Sequence, residues 1–536
     1  MRLFGICSVL AGAAAAITAQ ADTTTNRNLS LEDCVQIALQ HNLDVQIHRL
    51  NPDLSQLSLR ALYGAYDVTF SISGEHDYSQ SPSGYDSHVG VYPGNESDSN
   101  LGSASFGGLL PWGLAYSVGG SLSDTYGTSS TTLTDYSKPS TTTNTFLDLN
   151  SPAPYHEVIF TNTSYATKIG QSPFETTSAR AAALTLRQPL LKNFWIDNTR
   201  LQIVLAKKSL KNSELDFRNQ VMSTIFLVEQ AYYNLIYSDG NVGVQKLALE
   251  LAERLLSENK KRVEVGALAP LDEKQAESQV ASSKASVLSA ESDRDTQQRR
   301  LKSLLSDDYS KWGGATIKPS EALLAIPETF NLRESWRKGL TLRPDLLQQK
   351  LSLEKQGYIV KYQKNQLFPQ LDVVGSYGYQ GSNPDINQSL DQIGAQANPF
   401  WTVGGQMSMP LGNTSARHNY RAAKVTKDQI ALQLKQLQQN ILITIENDVA
   451  VAQTALLRVS ATREARLYAA AALDAEQKKL DNGKSTSFIV LQLQSNRTTA
   501  QSAEIRALAD YNIALAQLAL DEGTTLERRH VALEVH

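Results

Sequence analysis

The tripeptide Gly483-Lys484-Ser485 has the ending of a phosphate-binding loop, in which backbone amides and a lysine would cradle the phosphates of a nucleotide. That motif needs a second glycine five residues earlier, where Lys478 stands, and a helical pattern rather than a strand precedes it, so no nucleotide site is assigned. His41 and His48 lie seven apart on one helical face and could begin a metal site, but ligation needs more donors, and solvated histidines are the expectation. Glu229 and Glu446 are carboxylates of the kind a hydrolase pairs; they occupy equivalent places in two copies of one unit and read as duplicated helix residues. Cys34 reads as a small packed residue. Without zinc spacing or a nucleophile elbow, the expectation is no enzyme, no catalytic or metal residues and no cofactor.

The elements that carry these residues follow from length and pattern. The chain has 536 residues, with 50 Lys+Arg against 54 Asp+Glu and a net charge of −4, which leaves no domain-wide basic field for nucleic acid. Charged residues are 19% and mean hydropathy is −0.30, so the polarity comes largely from uncharged side chains, suited to long wetted surfaces. Residues 1–21, with Arg2, an apolar stretch from Leu3 to Ile17 and Ala19-Gln20-Ala21, read as a secretory signal peptide. No later stretch offers 18 uninterrupted apolar residues, so any membrane crossing must be made by strands.

A constant offset of about 217 superposes Arg200 on Arg417, Glu229 on Glu446 and Gly266 on Gly483; one of about 301 superposes Leu31 on Leu332 and Asp44 on Asp345. The chain is thus read as repeat 1 over 22–305, a linker over 306–331, repeat 2 over 332–522 and a tail over 523–536. Each repeat should hold a helix of about 35 residues, strands, a long helix (200–265 or 417–482), a tip turn and a half helix, with a long loop inserted over 79–180 in repeat 1. At ~1.5 Å per residue each long helix spans ~100 Å. The lengths suggest that 271–305 stacks on 332–366 and that 31–65 stacks on 488–522, completing a four-helix rod. Val221, Val228, Leu235, Val242, Leu249, Leu256 and Val263 form the heptad seam of a coiled coil.

Strand-like segments alternate with period two, among them Val68 to Ile72, Leu184 to Leu186, 371–379 and 401–409. One apolar and one polar face is what a lipid-facing, water-lined barrel requires, and Trp112, Phe400 and Trp401 would suit its aromatic girdle. A soluble sandwich shows the same alternation; the export signal and the Ser/Thr/Asn/Gly-rich loops favour the barrel. Four strands cannot close a membrane barrel alone, so copies must associate. Whether the further alternating runs at 104–109 and 114–122 join the wall is left open by the pattern.

Leu29-Ser-Leu-Glu-Asp-Cys-Val-Gln-Ile-Ala-Leu-Gln-His-Asn42 resembles the opening helix of the TolC family of outer-membrane efflux proteins. Tyr66-Asp-Val-Thr-Phe70, Leu186-Arg-Gln-Pro-Leu-Leu191, Arg343-Pro-Asp345, Phe368-Pro-Gln-Leu371 and Met409-Pro-Leu411 are similar to other pieces of that family. So are the tip turns Arg262-Val-Glu-Val-Gly266 and Lys479-Leu-Asp-Asn-Gly483. The resemblance implies a mixed α/β membrane protein: a homotrimer with four strands per protomer, twelve in one antiparallel outer-membrane β-barrel, continued by an α-helical coiled-coil tunnel across the periplasm of a Gram-negative cell. It implies a passive exit duct for efflux or type I secretion, with outer-membrane lipid around it. Its partners would be a periplasmic adaptor and an inner-membrane pump of RND or ABC type that supplies the energy.

Adaptor docking would fall on Arg262, Gly266, Ala267, Leu268, Lys479, Gly483, Lys484 and Ser485, where small residues permit close backbone approach. A periplasmic gate would fall on Asp272, Gln275, Ile489 and Gln492. The last two stand where some members place acidic residues, which argues against a selective cation constriction, and Asp272 suits a helix cap after Pro270-Leu271. The rival is a non-transporting secreted coiled-coil stalk.

Overall fold

The structure is a computed structural model and describes residues 26–86, 90–147, 157–266 and 268–532. The expected signal peptide and Ala267 lie outside the described residues. The chain forms two compact units, one of Met1–Gln56, Lys208–Glu354 and Asp428–His536, the other of Leu57–Lys207 and Lys355–Lys427.

The chain opens with β1 (Asn26–Leu29), α1 (Leu31–His41) and α2 (Leu43–Tyr63), followed by β2 (Thr69–Gln80), the short β3 (Gly84–Asp86) and β4 (Gly90–Tyr92), β5 (Glu96–Leu109), β6 (Ala115–Leu147) and β7 (Glu157–Pro189). Then come α3 (Asn198–Glu264), α4 (Pro270–Leu305), β8 (Thr316–Pro319), α5 (Leu332–Leu342) and α6 (Pro344–Asn365). The rest is β9 (Gln370–Asn383), α7 (Ile386–Gly394), β10 (Pro399–Ser408), α8 (Thr414–Asp481), α9 (Ser487–Glu522) and α10 (Thr525–Arg528).

In the first unit, the helices expected to run unbroken over 31–65 and 332–366 are each two helices. Ser30 and Asp33 cap the start of α1 reciprocally. At Asn42 the chain turns extended, and the Asn42 side chain accepts from the amides of Asp44 and Val45, which starts α2 afresh. In the second copy Pro344 does the equivalent work: it has no N–H to lose at the first helical position, and it biases Arg343 away from helix.

The expected end-to-end stacking is also corrected. The end of α4 meets α1, with Asn42 Nδ2 donating to the Leu304 carbonyl at 3.0 Å and His41 Nδ1 3.3 Å from Asp307. The end of α9 meets α5, with Arg343 Nη1 donating to Asp521 at 2.6 Å. Each repeat therefore returns to its own opening helix, because its long helix and its closing helix share the buried residues that the opening helix needs. One such core joins Leu31, Cys34, Val35 and Ala38 of α1 to Val221, Ile225, Val228 and Tyr232 of α3 and to Leu301 and Leu305 of α4. The linker adds to it through β8, which pairs in parallel with β1 and buries Ile317.

The heptad seam of α3 is buried from Val221 to Val242 and only half-buried at Leu249, Leu256 and Val263. Beyond Gly243 the buried face passes to Ala252, Leu255 and Asn259, because the neighbours change: Leu255 packs on Leu473 and Leu480 of α8 and Val490 and Leu491 of α9. Gly240 faces Ile505, and the helix continues through it.

The second unit holds a sheet of six strands, not four, in the order β10-β9-β7-β6-β5-β2, every neighbouring pair antiparallel. The segment expected as an inserted loop over 79–180 is largely strand: it supplies β5, β6 and most of β7. Its Ser, Thr and Gly content suggested loop, but threonine is a good strand former, and β6 and β7 pair from Ala115 opposite Arg187 to Leu147 opposite Glu157, with two bulges on the way. The Ser/Asn/Gly-rich segment 381–398, one of those read as loops at a barrel rim, contains α7, capped by Asp385.

Candidate functional site

Two sets of residues could act, one in each unit. In the first unit, α3 and α8 each end in a glycine turn. Gly266 and Gly483 stand at φ 77° and 70°, the left-handed conformation that ends a helix and that glycine adopts without strain. The Gly266 amide donates to Val263 and that of Leu268 to Arg262; in the other turn, Gly483 donates to Leu480 and Lys484 to Lys479. These bonds use the last carbonyls of each helix, so both turns are closed units.

Side chains tie the two turns together. Arg262 Nη2 lies 3.3 Å from Asp481 Oδ1. Ser487 Oγ donates to Asp272 Oδ1 at 2.8 Å, joining α9 to α4. Asp272 is therefore not the cap of α4: the cap position is Ala269, with proline next, and Asp272 sits in the first turn, where its charge suits the helix dipole. Lys479 pairs with Glu476 at 2.8 Å and Ser485 Oγ donates to Glu476 at 2.6 Å, which holds the Glu476 carboxyl below its usual range. Gln492 turns along its own helix to Asn496, Gln275 is half-buried, and Lys484 and Ile489 are exposed.

Sequence reasoning missed the apolar residues around these turns. Val265 is 79% exposed, and Leu271 and Phe488 are exposed as well. Large apolar side chains next to two glycine turns were the available signal.

The other residues considered for chemistry do not gather into a site among the described residues. His48 Nδ1 bonds the Asp44 carbonyl, away from His41. Glu229 is buried and paired with Arg529, whereas Glu446 is exposed. Cys34 is fully buried, and burial pushes its thiol up to about 12. Arg343 gathers Asp345 and Asp521; beside them, burial and the charge of Asp521 push the Asp448 carboxyl up to about 7.

In the second unit the sheet registers place residues in rows. One row crosses all six strands as Phe70, Phe106, Val118, Leu184, Tyr377 and Trp401. The next row, on the opposite face, is Thr69, Gly107, Ser117, Thr185, Ser376 and Thr402. The first face is apolar: the Phe70 and Phe106 rings lie 4.8 Å apart, and Leu371, Val373, Gly375, Tyr377 and Tyr379 extend it about 26 Å along β9 at ~3.3 Å per residue. The second face is polar, with Ser73 bonded to Ser103 at 2.8 Å, Ser376 to Thr402 at 2.5 Å and Arg187 to Asp372 at 2.5 Å.

Trp401 belongs to the apolar row. Phe400, the next residue, necessarily points to the polar face, where Arg180 lies over its ring. Trp112 is exposed in the turn between β5 and β6. Among the described residues no helix is long and apolar enough to cross a membrane.

Residues 161–306 and 337–522 match the family model described as outer membrane efflux protein. The chain belongs to that family. Curated members similar to it include outer membrane protein TolC of Vibrio cholerae, 23% identical over 337 residues, which are 60% of this chain and 73% of the relative. Another is outer membrane efflux protein BepC of Brucella suis, 22% identical over 67% of this chain and 75% of the relative. Among solved structures, the CmeC outer membrane channel of Campylobacter jejuni shares the fold with a TM-score of 0.61 at 16% identity, over 92% of this chain and 86% of that one. VceC of Vibrio cholerae also scores 0.61, at 15% identity over 92% and 96%. This is an efflux protein of the outer membrane, so the amphipathic sheet has a membrane to meet.

Proposed function

We propose that this efflux protein is the passive exit duct of a tripartite export or type I secretion system. Three copies join their sheets into one β-barrel in the outer membrane, and the long helices line a tunnel in the periplasm. The observation that supports this reading most is the sheet with one face apolar and the other polar across its full width, whose end strands β2 and β10 have, among the described residues, no neighbour on their outer sides. In hydrocarbon such edges are tolerated only if they close on other strands. The apolar face meets lipid and the Ser/Thr face lines water, with Trp401 among the girdle aromatics.

The paired turns are the adaptor-docking surface. The glycine turns at Gly266 and Gly483, with Leu268, Lys484 and Ser485 beside them, offer close backbone approach, and the exposed Val265, Leu271 and Phe488 add apolar area for a helical hairpin of the adaptor; Ala267 is included from its place in the sequence alone. Arg262–Asp481 and Ser487–Asp272 hold the turns closed, and Asp272, Gln275, Ile489 and Gln492 flank the constriction. An inner-membrane pump of RND or ABC type drives transport.

Fractionation of cell envelopes, followed by gel electrophoresis without boiling and conductance in planar bilayers, tests this. Trimers in the outer-membrane fraction that conduct ions once Arg262→Ala loosens the turns are expected. A detergent-free, monomeric stalk that never conducts would refute the duct.

A further inference from the structure

We infer that the β5–β6 hairpin is barrel wall rather than surface loop, so that three copies of six strands close an eighteen-stranded barrel in which β10 of each copy pairs with β2 of the next. The inference rests on the trimeric-duct reading and supplies what that reading leaves open, the strand number and the seam.

Four observations support it. First, β5 and β6 stand between β2 and β7 in the sheet, antiparallel on both sides, in unbroken register with each other and with β2 and with two bulges against β7; among the described residues, β5 is the strand to which β2 is bonded. Second, they keep the sheet's two faces: Phe106 and Val118 lie in the apolar row at the level of Phe70 and Trp401, and Gly107 and Ser117 lie in the polar row. A hairpin surrounded by water on both sides would have no reason to hold apolar side chains at that level on that face. Third, five successive antiparallel pairs leave β2 and β10 running in opposite directions, which lets a second copy continue the same antiparallel ladder. Fourth, the apolar row reaches both edges as exposed rings, Phe70 at 58% and Trp401 at 72%, so a neighbouring copy would carry it onward.

The occupant of each free edge is therefore another copy of this chain. Six strands are too few to close alone, and an even number of strands per copy preserves antiparallel pairing around the whole ring. Because barrel diameter grows roughly linearly with strand number, the lumen would be about 1.5 times as wide as that of a twelve-stranded trimer. The segments that match the family model begin at residue 161, so β5 and β6 fall outside them, as β2 does.

The experiment uses full-length protein in outer membranes, in a Cys34→Ala background. Phe106→Cys and Val118→Cys should resist a charged, membrane-impermeant maleimide and accept a lipid-soluble one, while Ser105→Cys and Ser117→Cys should react with a small water-soluble methanethiosulfonate. Cysteine pairs scanned between Thr69, Ser71 or Ser73 and Thr402, Gly404 or Gln406 should give covalent trimers on mild oxidation for at least one register. Equal labelling of all four hairpin sites by the impermeant reagent would overturn the inference. So would a disulfide within one copy between Ser71→Cys and Thr185→Cys, which requires β2 to sit directly on β7. In both cases trimers on unboiled gels leave the duct reading standing; absence of trimers in the parent protein would overturn both.

Discussion

At Gly266 and Gly483 a Cβ would meet nothing within 4 Å, so the need for glycine comes from the backbone angle alone. Gly266→Leu or Gly483→Leu should cost about 1 kcal/mol of stability each through the left-handed conformation. Trimers should persist on unboiled gels while export, read as drug or dye accumulation in cells, falls; unchanged export would refute the docking role. A sharper residue-scale effect is expected at the tail. Glu229 is 2% exposed and its cation is Arg529, so Arg529→Ala leaves a buried carboxylate unpaired at a cost of about 3 kcal/mol, measurable in the denaturant midpoint. Asp448 gives a pH dependence. Its folded pKa of about 7 lies above the ordinary aspartate value of 3.8, so over that interval the native state keeps a proton that the unfolded state releases. Stability attributable to this group is present at low pH and is lost as pH rises toward 7. Asp448→Asn should raise stability at pH 8 by on the order of 1 kcal/mol for a half-buried group, read as a higher melting temperature, and change it little at pH 4.

Among the elements, the breaks after α1 and α5 decide how the opening helices bend onto the long ones. Asn42→Ala removes the side-chain acceptor for two amides and the donor to Leu304, and about 1 kcal/mol of stability should go with it. The helix approach at α5 is closer still. A Cβ on Gly339 would stand 2.4 Å from Ile445 Cδ1 and 3.5 Å from the Asp521 carbonyl, so Gly339→Leu overpacks the site at a cost of about 2 kcal/mol. Adding Ile445→Ala should recover part of that in thermal melts, because the first obstacle is the end of a flexible side chain. The Pro344 break could be seen in the sequence, since proline marks a helix start. The break at Asn42 could not, since asparagine is tolerated inside helices and only the Leu304 carbonyl shows why it turns.

For the whole molecule, the apolar row across six strands predicts that the protein requires detergent once extracted, and that introducing Asp at Val403 or Phe70 impairs insertion into the outer membrane while Asp at Ser376 or Ser117 is tolerated. Membrane fractionation with protease protection checks both arms. Equal loss from both faces would reject the assignment of lipid to the apolar side.

The two long helices, the glycine turns and the alternation of four strands were legible in the sequence, because each of these is a local pattern with its own period or its own special residue. The family resemblance rested on the same short motifs. How many strands share the sheet, which half helix returns to which opening helix, and which of the two faces carries Trp401 and which Phe400 came from the three-dimensional arrangement. Those outcomes depend on register and on partners far away along the chain. A strand's alternation says that it has two unlike faces, and only its hydrogen-bonded neighbours say which level of the sheet those faces occupy.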